Sequence, residues 1–379
     1  MKASLLLLIG LMACHDAELA TEPAAAPDLA RGGLKPGSAI TVTDLGLSGS
    51  GEDSHAEDID DQGRIVGWRG PWLGPNRAFL WTPTSPRGTT GSAMDLGDLG
   101  GGAAQARGTN ASGQIVGSST VASGIQHPFF WEAGGMHDLG IPAGTDFGEA
   151  MDVNDGATRR VAGGVASPVD RAFVWTVSVT GAGFQVTAFD DLPRLSTSGA
   201  FAFALNDASV VVGYSNVLSG YPNQPVFWNN SGTVWGIHPL SLLASAIGGV
   251  ARDVNSAGQI VGHNVVSTGC GSQAVVWATG SAAAAQLPFL SGGTCAEAWA
   301  VNDAGQISGF STDRRGGFRA VLWRPLTGGG YSVTDLGQLG GTTPQVLGMN
   351  EPLATAGVEV VGFGHFTSGA DHATLWTIK

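Results

Sequence analysis

The chain has 379 residues, 60 of them glycine and 18 proline, with only 13% charged residues and a formal net charge of −13. That acidity argues against nucleic acid or anionic lipid as a partner, since both demand a basic surface, and no basic run exceeds Arg159-Arg160 or Arg314-Arg315. Many glycines and few charges suit a chain of buried strands and tight turns.

From the N-terminus, Lys2 is followed by an apolar run from Leu5 to Ala13, too short to span a bilayer. Residues 1–14 are therefore expected to be an export signal. The segment Leu11-Met12-Ala13-Cys14 resembles the lipobox of bacterial lipoproteins, which implies a lipid on Cys14. The expected location is the outer membrane or cell surface, with the lipid as the only membrane attachment; the alternative is a plain secretory signal and a secreted protein. Residues 15–38 carry Ala, Pro and Glu without periodicity and are expected to form a flexible stalk. Residues 39–379 are expected to form a single domain.

Within that domain one figure recurs seven times. Its Asn (Asp in the first unit) falls at Asp60, Asn110, Asn154, Asn206, Asn255, Asn302 and Asn350. A Gly follows at Gly67, Gly117, Gly163, Gly213, Gly262, Gly309 and Gly362, and then a Trp at Trp81, Trp131, Trp175, Trp228, Trp277, Trp323 and Trp376. A period of this size marks a repeat architecture. Each unit reads as four short strands: the run into the Asn, the run ending in the Gly, an Ala-Phe-x-Trp-like run, and a run closing on Asp-Leu-Gly. The Gly in the turn after the Asn (Gly63, Gly113, Gly258, Gly305) suits the left-handed backbone of a tight hairpin. Seven such units predict an all-β fold, a seven-bladed β-propeller with four antiparallel strands per blade. The last unit ends at Trp376-Thr-Ile-Lys379 without a fourth strand, while Ile40–Gly46 is a spare one. The expectation is a ring closed by the N-terminal strand completing the last blade, which removes two open sheet edges.

Cys270 and Cys295 lie in loops expected on the same face, so an exported protein could bridge them; two free thiols too far apart are the competing reading. The Asn-Asp pairs lack the spaced carboxylates of a calcium loop and read as turns. The histidines show no zinc spacing, and no nucleophile elbow, P-loop or dinucleotide fingerprint occurs. No catalytic residue, metal or cofactor is expected. The candidate site comes from topology instead. Five residues before each repeat Asn stand His55, Gln105, Glu149, Phe201, Val250, Glu297 and Gln345, each followed by Ala except the last. These seven vary in chemistry and are expected to line the mouth of a central channel and to supply the ligand contacts. A hydrated rim without function is the competing reading.

The segments Asn110 to Trp131, Arg77-Ala-Phe-Leu-Trp81 and Asp335-Leu-Gly-Gln-Leu-Gly-Gly341 give the chain its resemblance to the HAF-repeat extracellular proteins of bacteria, over about residues 40 to 379. Kelch repeats are more distantly similar. The His of the His-Ala-Phe signature is mostly replaced, by Arg77, Arg171 and Gln273. The resemblance implies an exported repeat protein and brings no catalytic residues. The expected function is a binding or scaffolding module at the cell surface, a monomer whose unknown extracellular ligand is a polysaccharide or a protein. A propeller-type glycan hydrolase or lyase with its site at the channel mouth is the alternative, and a structural adhesin a second.

Overall fold

The structure, a computed structural model, describes residues 39–49, 51–71, 74–166, 169–180, 183–217, 223–232, 234–267, 271–278, 283–338, 342–354, 356–365 and 369–379. The expected signal and stalk, with Cys14, fall outside them, as does Cys270.

All regular structure among these residues is β. The first unit pairs its strands Asp53–Ile59, Ile65–Gly70, Arg77–Pro83 and Gly91–Asp95 in that order, each antiparallel to the next. The other units repeat this meander. Units 2 and 3 join into one eight-stranded sheet through a single parallel pair, Phe147 with Gln126. In unit 7 the three strands Thr342–Met349, Val358–His365 and Asp371–Ile378 take Ile40–Asp44 as their fourth. The register sets Val42 opposite Trp376 and Asp44 opposite Thr374.

Each repeated residue has a local cause. The side-chain oxygen of Asn110 accepts the N–H groups of Ser112 and Gln114 and so closes the hairpin, with Gly113 at φ 76° in its turn. The Asn side-chain nitrogen reaches the next unit: Asn110 donates to the Asn154 carbonyl, Asn206 to Asn255, Asn255 to Asn302, Asn302 to Asn350, and Asn350 to Asp60 of unit 1. The residue after the Asn adds a parallel series in which Asp155, Asp207, Asp303, Glu351 and Asp61 accept a backbone N–H from another unit. These acidic side chains therefore serve as staples between units.

The repeat Trp points the other way. Trp175, Trp228, Trp277, Trp323 and Trp376 are fully buried. Their indole N–H groups donate to carbonyls at the end of the preceding unit, at Gly140, Pro193, Ser241, Pro288 and Gly337. This meets the rule that a buried indole finds a partner. The repeat Gly is forced by close approach. A Cβ on Gly309 would stand 2.0 Å from the Glu297 carbonyl oxygen, and one on Gly362 1.9 Å from that of Gln345.

The apolar core is divided among interfaces between units. Ala162, Ala172, Val174 and Leu192 of unit 3 pack with Ala202, Val211 and Trp228 of unit 4. In the same way Ala56, Phe79 and Trp81 of unit 1 share a core with Val361, Ala373 and Leu375 of unit 7. At the outer edges the signature slot meets the Asp that precedes the closing Leu of its blade: Arg77 pairs with Asp95 and Arg171 with Asp191, and the ring nitrogens of His127 and His372 lie within hydrogen-bond distance of Asp138 and Asp44. Where a Gly follows that Leu, the Asp also accepts its N–H, as Asp44 does from Gly46 and Asp335 from Gly337.

Candidate functional site

The first strand of every unit carries a β-bulge at the same place, between Ala56 and Asp58, Ala106 and Gly108, Ala150 and Asp152, Ala202 and Ala204, Ala251 and Asp253, Ala298 and Ala300, and Val346 and Gly348. A bulge leaves one residue out of the ladder and re-aims its side chain. The seven extra residues are Glu57, Arg107, Met151, Phe203, Arg252, Trp299 and Leu347. They stand three positions before the repeat Asn, two later than the positions the sequence reading selects, and they form a collar along which side chains of successive units meet.

One side of the collar is polar. Arg107 donates its Nε to Glu149 at 2.7 Å, one terminal nitrogen to Glu57 at 2.8 Å and the other to Gln105 at 2.9 Å. Three units are thus tied through one guanidinium. Burial opposes the Arg107 charge, but Glu149 and Glu57 outweigh it and hold the group more firmly protonated than usual. Glu57 Oε1 also accepts the Trp68 indole N–H at 2.8 Å. His55 lies between the rings of Trp68 and Phe363, at centroid distances of 4.2 and 3.7 Å. Its Nε2 is 3.0 Å from Asp371 Oδ2, and the other oxygen of Asp371 meets His365 at 2.8 Å. Burial would raise the Asp371 pKa, but His55 and His365 more than offset it and bring it below the usual carboxylate value.

The other side is aromatic. The Arg252 guanidinium is sandwiched between Phe203 and Trp299, 4.6 and 4.2 Å from their centroids. Met151 and Phe203 cover a small apolar cluster of Phe201, Tyr214 and Val250.

Next to the bulges stand Asp58, Asp152 and Asp253. Each accepts the N–H of its own successor and one from the following unit, at Thr109, Leu205 and Val301 respectively. Each is half-buried, with a small exposed surface and dense protein around the rest. That enclosure raises all three pKa values above the usual range, Asp58 strongly, Asp152 to about 7 and Asp253 to about 6. They also repel one another: Asp152 and Asp253 raise Asp58, and Asp253 raises Asp152.

Of the seven residues selected from the sequence, His55, Gln105 and Glu149 join the polar side of the collar. Phe201 and Val250, 4% and 2% exposed, are sealed in the apolar cluster and present nothing to a ligand. Glu297 is buried against His263, with 3.6 Å between Oε2 and Nδ1 and no hydrogen bond to either atom among the described residues. Burial holds the His263 pKa below its usual value, and Glu297 only partly opposes this. Gln345 is half-buried, its carbonyl seated under Gly362. Cys295 is disulfide-bonded. No group of three or more His, Cys, Asp or Glu able to hold a metal occurs among the described residues.

No protein-family model matches the sequence, and no curated protein matches it. Among solved structures, a protein of unknown function from Dyadobacter fermentans DSM 18053 aligns with a TM-score of 0.51 and 14% identity over 91% of this chain and 100% of that one. A gluconolactonase from Xanthomonas campestris aligns at 0.38 with 12% identity over 89% of each chain. An endosialidase of phage phi92 aligns at 0.44 with 8% identity over 90% of this chain and 69% of its own. The first likeness concerns the fold alone, and the other two are too distant to bear on activity.

Proposed function

We propose that the chain is an exported, lipid-anchored seven-bladed β-propeller, closed by its N-terminal strand, that acts as a binding module with its ligand seated over the collar. Closure is supported by the pairing of Ile40–Asp44 with Asp371–Ile378, by the Asn350 bond to Asp60, and by the core shared between units 1 and 7. Cys14 is the proposed lipid attachment, and Cys270 the proposed partner of Cys295.

The observation that carries the binding reading is the Arg107 hub. It fixes Glu57, Gln105 and Glu149 in place, each held through one side-chain oxygen. Recognition uses such preorganised polar groups. An acid–base pair needs instead a group free to pass its proton to a substrate, whereas Asp58, Asp152 and Asp253, although raised in pKa, have both oxygens engaged by backbone N–H groups. A second reading, a glycan hydrolase or lyase, is favoured by one feature: Asp371 orients His55 as a carboxylate orients a catalytic imidazole. The test is to pass a polysaccharide panel over the immobilised chain, scoring retention and product separately. Retention without product is the expected result. Product that disappears in His55→Gln overturns the binding reading in favour of the enzyme.

A further inference from the structure

Resting on the binding-module reading, we infer that the collar takes a neutral glycan, one sugar ring lying across it with its apolar face on the aromatic side and its hydroxyls on the polar side. The polar side is incompletely used. Glu57 and Glu149 each bond Arg107 through Oε1, and Gln105 through its side-chain oxygen. The second carboxylate oxygens and the Gln105 side-chain nitrogen have no partner among the described residues, and none of these three atoms is among the sealed, unpartnered ones. The collar thus offers two acceptors and one donor, held at fixed spacing by a single cation. Hydroxyl groups satisfy both kinds of site, since each can donate and accept.

The remaining ligand classes fail on charge or on unmet bonds. An anion would face the second oxygens of Glu57 and Glu149, two carboxylates that share one guanidinium. A cation would look for an aromatic cage, but the cage between Phe203 and Trp299 already holds Arg252. A wholly apolar ligand would strip water from the carboxylates and return no hydrogen bond, which is costly. A pyranose carries C–H groups on one face and hydroxyls around its rim. The two-sided collar matches that division, with half-buried Phe203 and Trp299 in units other than those of the Arg107 hub.

The test titrates the full chain with neutral oligosaccharides of increasing length, free neutral monosaccharides, a uronic-acid polymer and a short cationic peptide, read by calorimetry and by tryptophan fluorescence. Saturable binding of neutral oligosaccharides is expected, tighter than that of the monosaccharides, with none of the charged probes bound. Gln105→Ala and Trp299→Ala should each weaken it by about tenfold, the order seen when a central interface contact is truncated. Trp299→Phe should restore most of the loss. Gln105→Ala is the variant to rely on if Trp299→Ala fails to fold. Tighter, variant-sensitive binding of the uronate or the peptide would overturn the ligand class while keeping the site. Neutral-glycan binding unchanged in both variants would overturn the site. If no probe of any class binds, the binding-module reading falls with it.

Discussion

Gly362 and Gly364 lie two residues apart in the same strand, and the structure predicts opposite outcomes for the same substitution. An alanine Cβ at position 362 would stand 1.9 Å from the Gln345 carbonyl oxygen, 2.8 Å from its carbon and 3.0 Å from the Val346 Cα. Van der Waals contact needs roughly 3.5 Å, so the shortfall exceeds an ångström, and every obstructing atom is backbone. No rotamer change relieves it. The strands Thr342–Met349 and Val358–His365 must part, so overpacking of ~1–3 kcal/mol is joined by about 1 kcal/mol for each ladder hydrogen bond lost. At Gly364 the nearest atom to a new Cβ is Thr374 Oγ1 at 3.7 Å, an ordinary contact, and its φ is not positive. Gly364→Ala should therefore stabilise by ~0.4–1 kcal/mol, mainly by restricting the unfolded chain. Urea denaturation followed by tryptophan fluorescence gives both midpoints, and they should move in opposite directions. Equal shifts, or a tolerated Gly362→Ala, would refute the claim that carbonyl approach dictates the repeat Gly.

Trp323→Ala should cost ~3–5 kcal/mol and leave the Pro288 carbonyl without its indole donor; a denaturation midpoint within error of wild type would show that the repeat Trp is not core. Asn302→Ala removes the bond to the Asn350 carbonyl as well as the Gln306 N–H contact. It should cost ~1–3 kcal/mol, read from the same curve. Deleting residues 39–46 strips the partner from Asp371–Ile378 and should produce aggregates on size-exclusion chromatography, because a long edge strand is a pairing template. Asp152 and Asp253 have folded pKa values of about 7 and about 6, above the ~3.9 of an unfolded Asp. The native state therefore binds more protons through that window, and stability rises as pH falls from about 7 to about 5. Melting temperatures across that range should show the rise, and Asp152→Asn should flatten it.

Much of the fold is legible in the sequence because the staples are residue-specific. An Asn that closes a turn and reaches the next unit cannot be replaced by a generic polar residue, nor can a Gly under a carbonyl or a Trp with an indole partner. These recur, and recurrence is visible. The collar is harder to find because a bulge leaves no trace in apolar alternation. Counting in twos along Asp53–Ile59 keeps His55 and Glu57 equivalent, whereas the observed register sets Ala56 opposite Gly67 and Asp58 opposite Val66 and skips Glu57. The usable signal was chemical scatter: Glu57, Arg107, Met151, Phe203, Arg252, Trp299 and Leu347 share no property while the adjoining residues are Ala or another small or repeated type. The role of Asp371 is invisible for another reason. It approaches His55 only when units 1 and 7 come together, a separation of 316 residues along the chain.

The same bulge explains why a repeat fold can carry a site at all. Side chains in the ladder are constrained by their neighbours, so changing Ala56 or Gly67 disturbs an interface that every unit needs. The skipped residue is under less constraint, because its backbone has left the pairing and its side chain is not required by the ladder. Stability rests on the Asn, Gly and Trp positions, and chemistry can vary at the bulge without drawing on it. It follows that substitutions at Leu347, which has neither the ion pairs of Arg107 nor the ring contacts of Trp299, should alter ligand preference with little change in stability. Leu347→Gln should stay within about 0.5 kcal/mol of wild type in the urea midpoint, the usual range away from specific interactions, while shifting relative affinities across the oligosaccharide series. A large loss of stability there would mean that the collar is part of the core, and the separation of scaffold from site would fail.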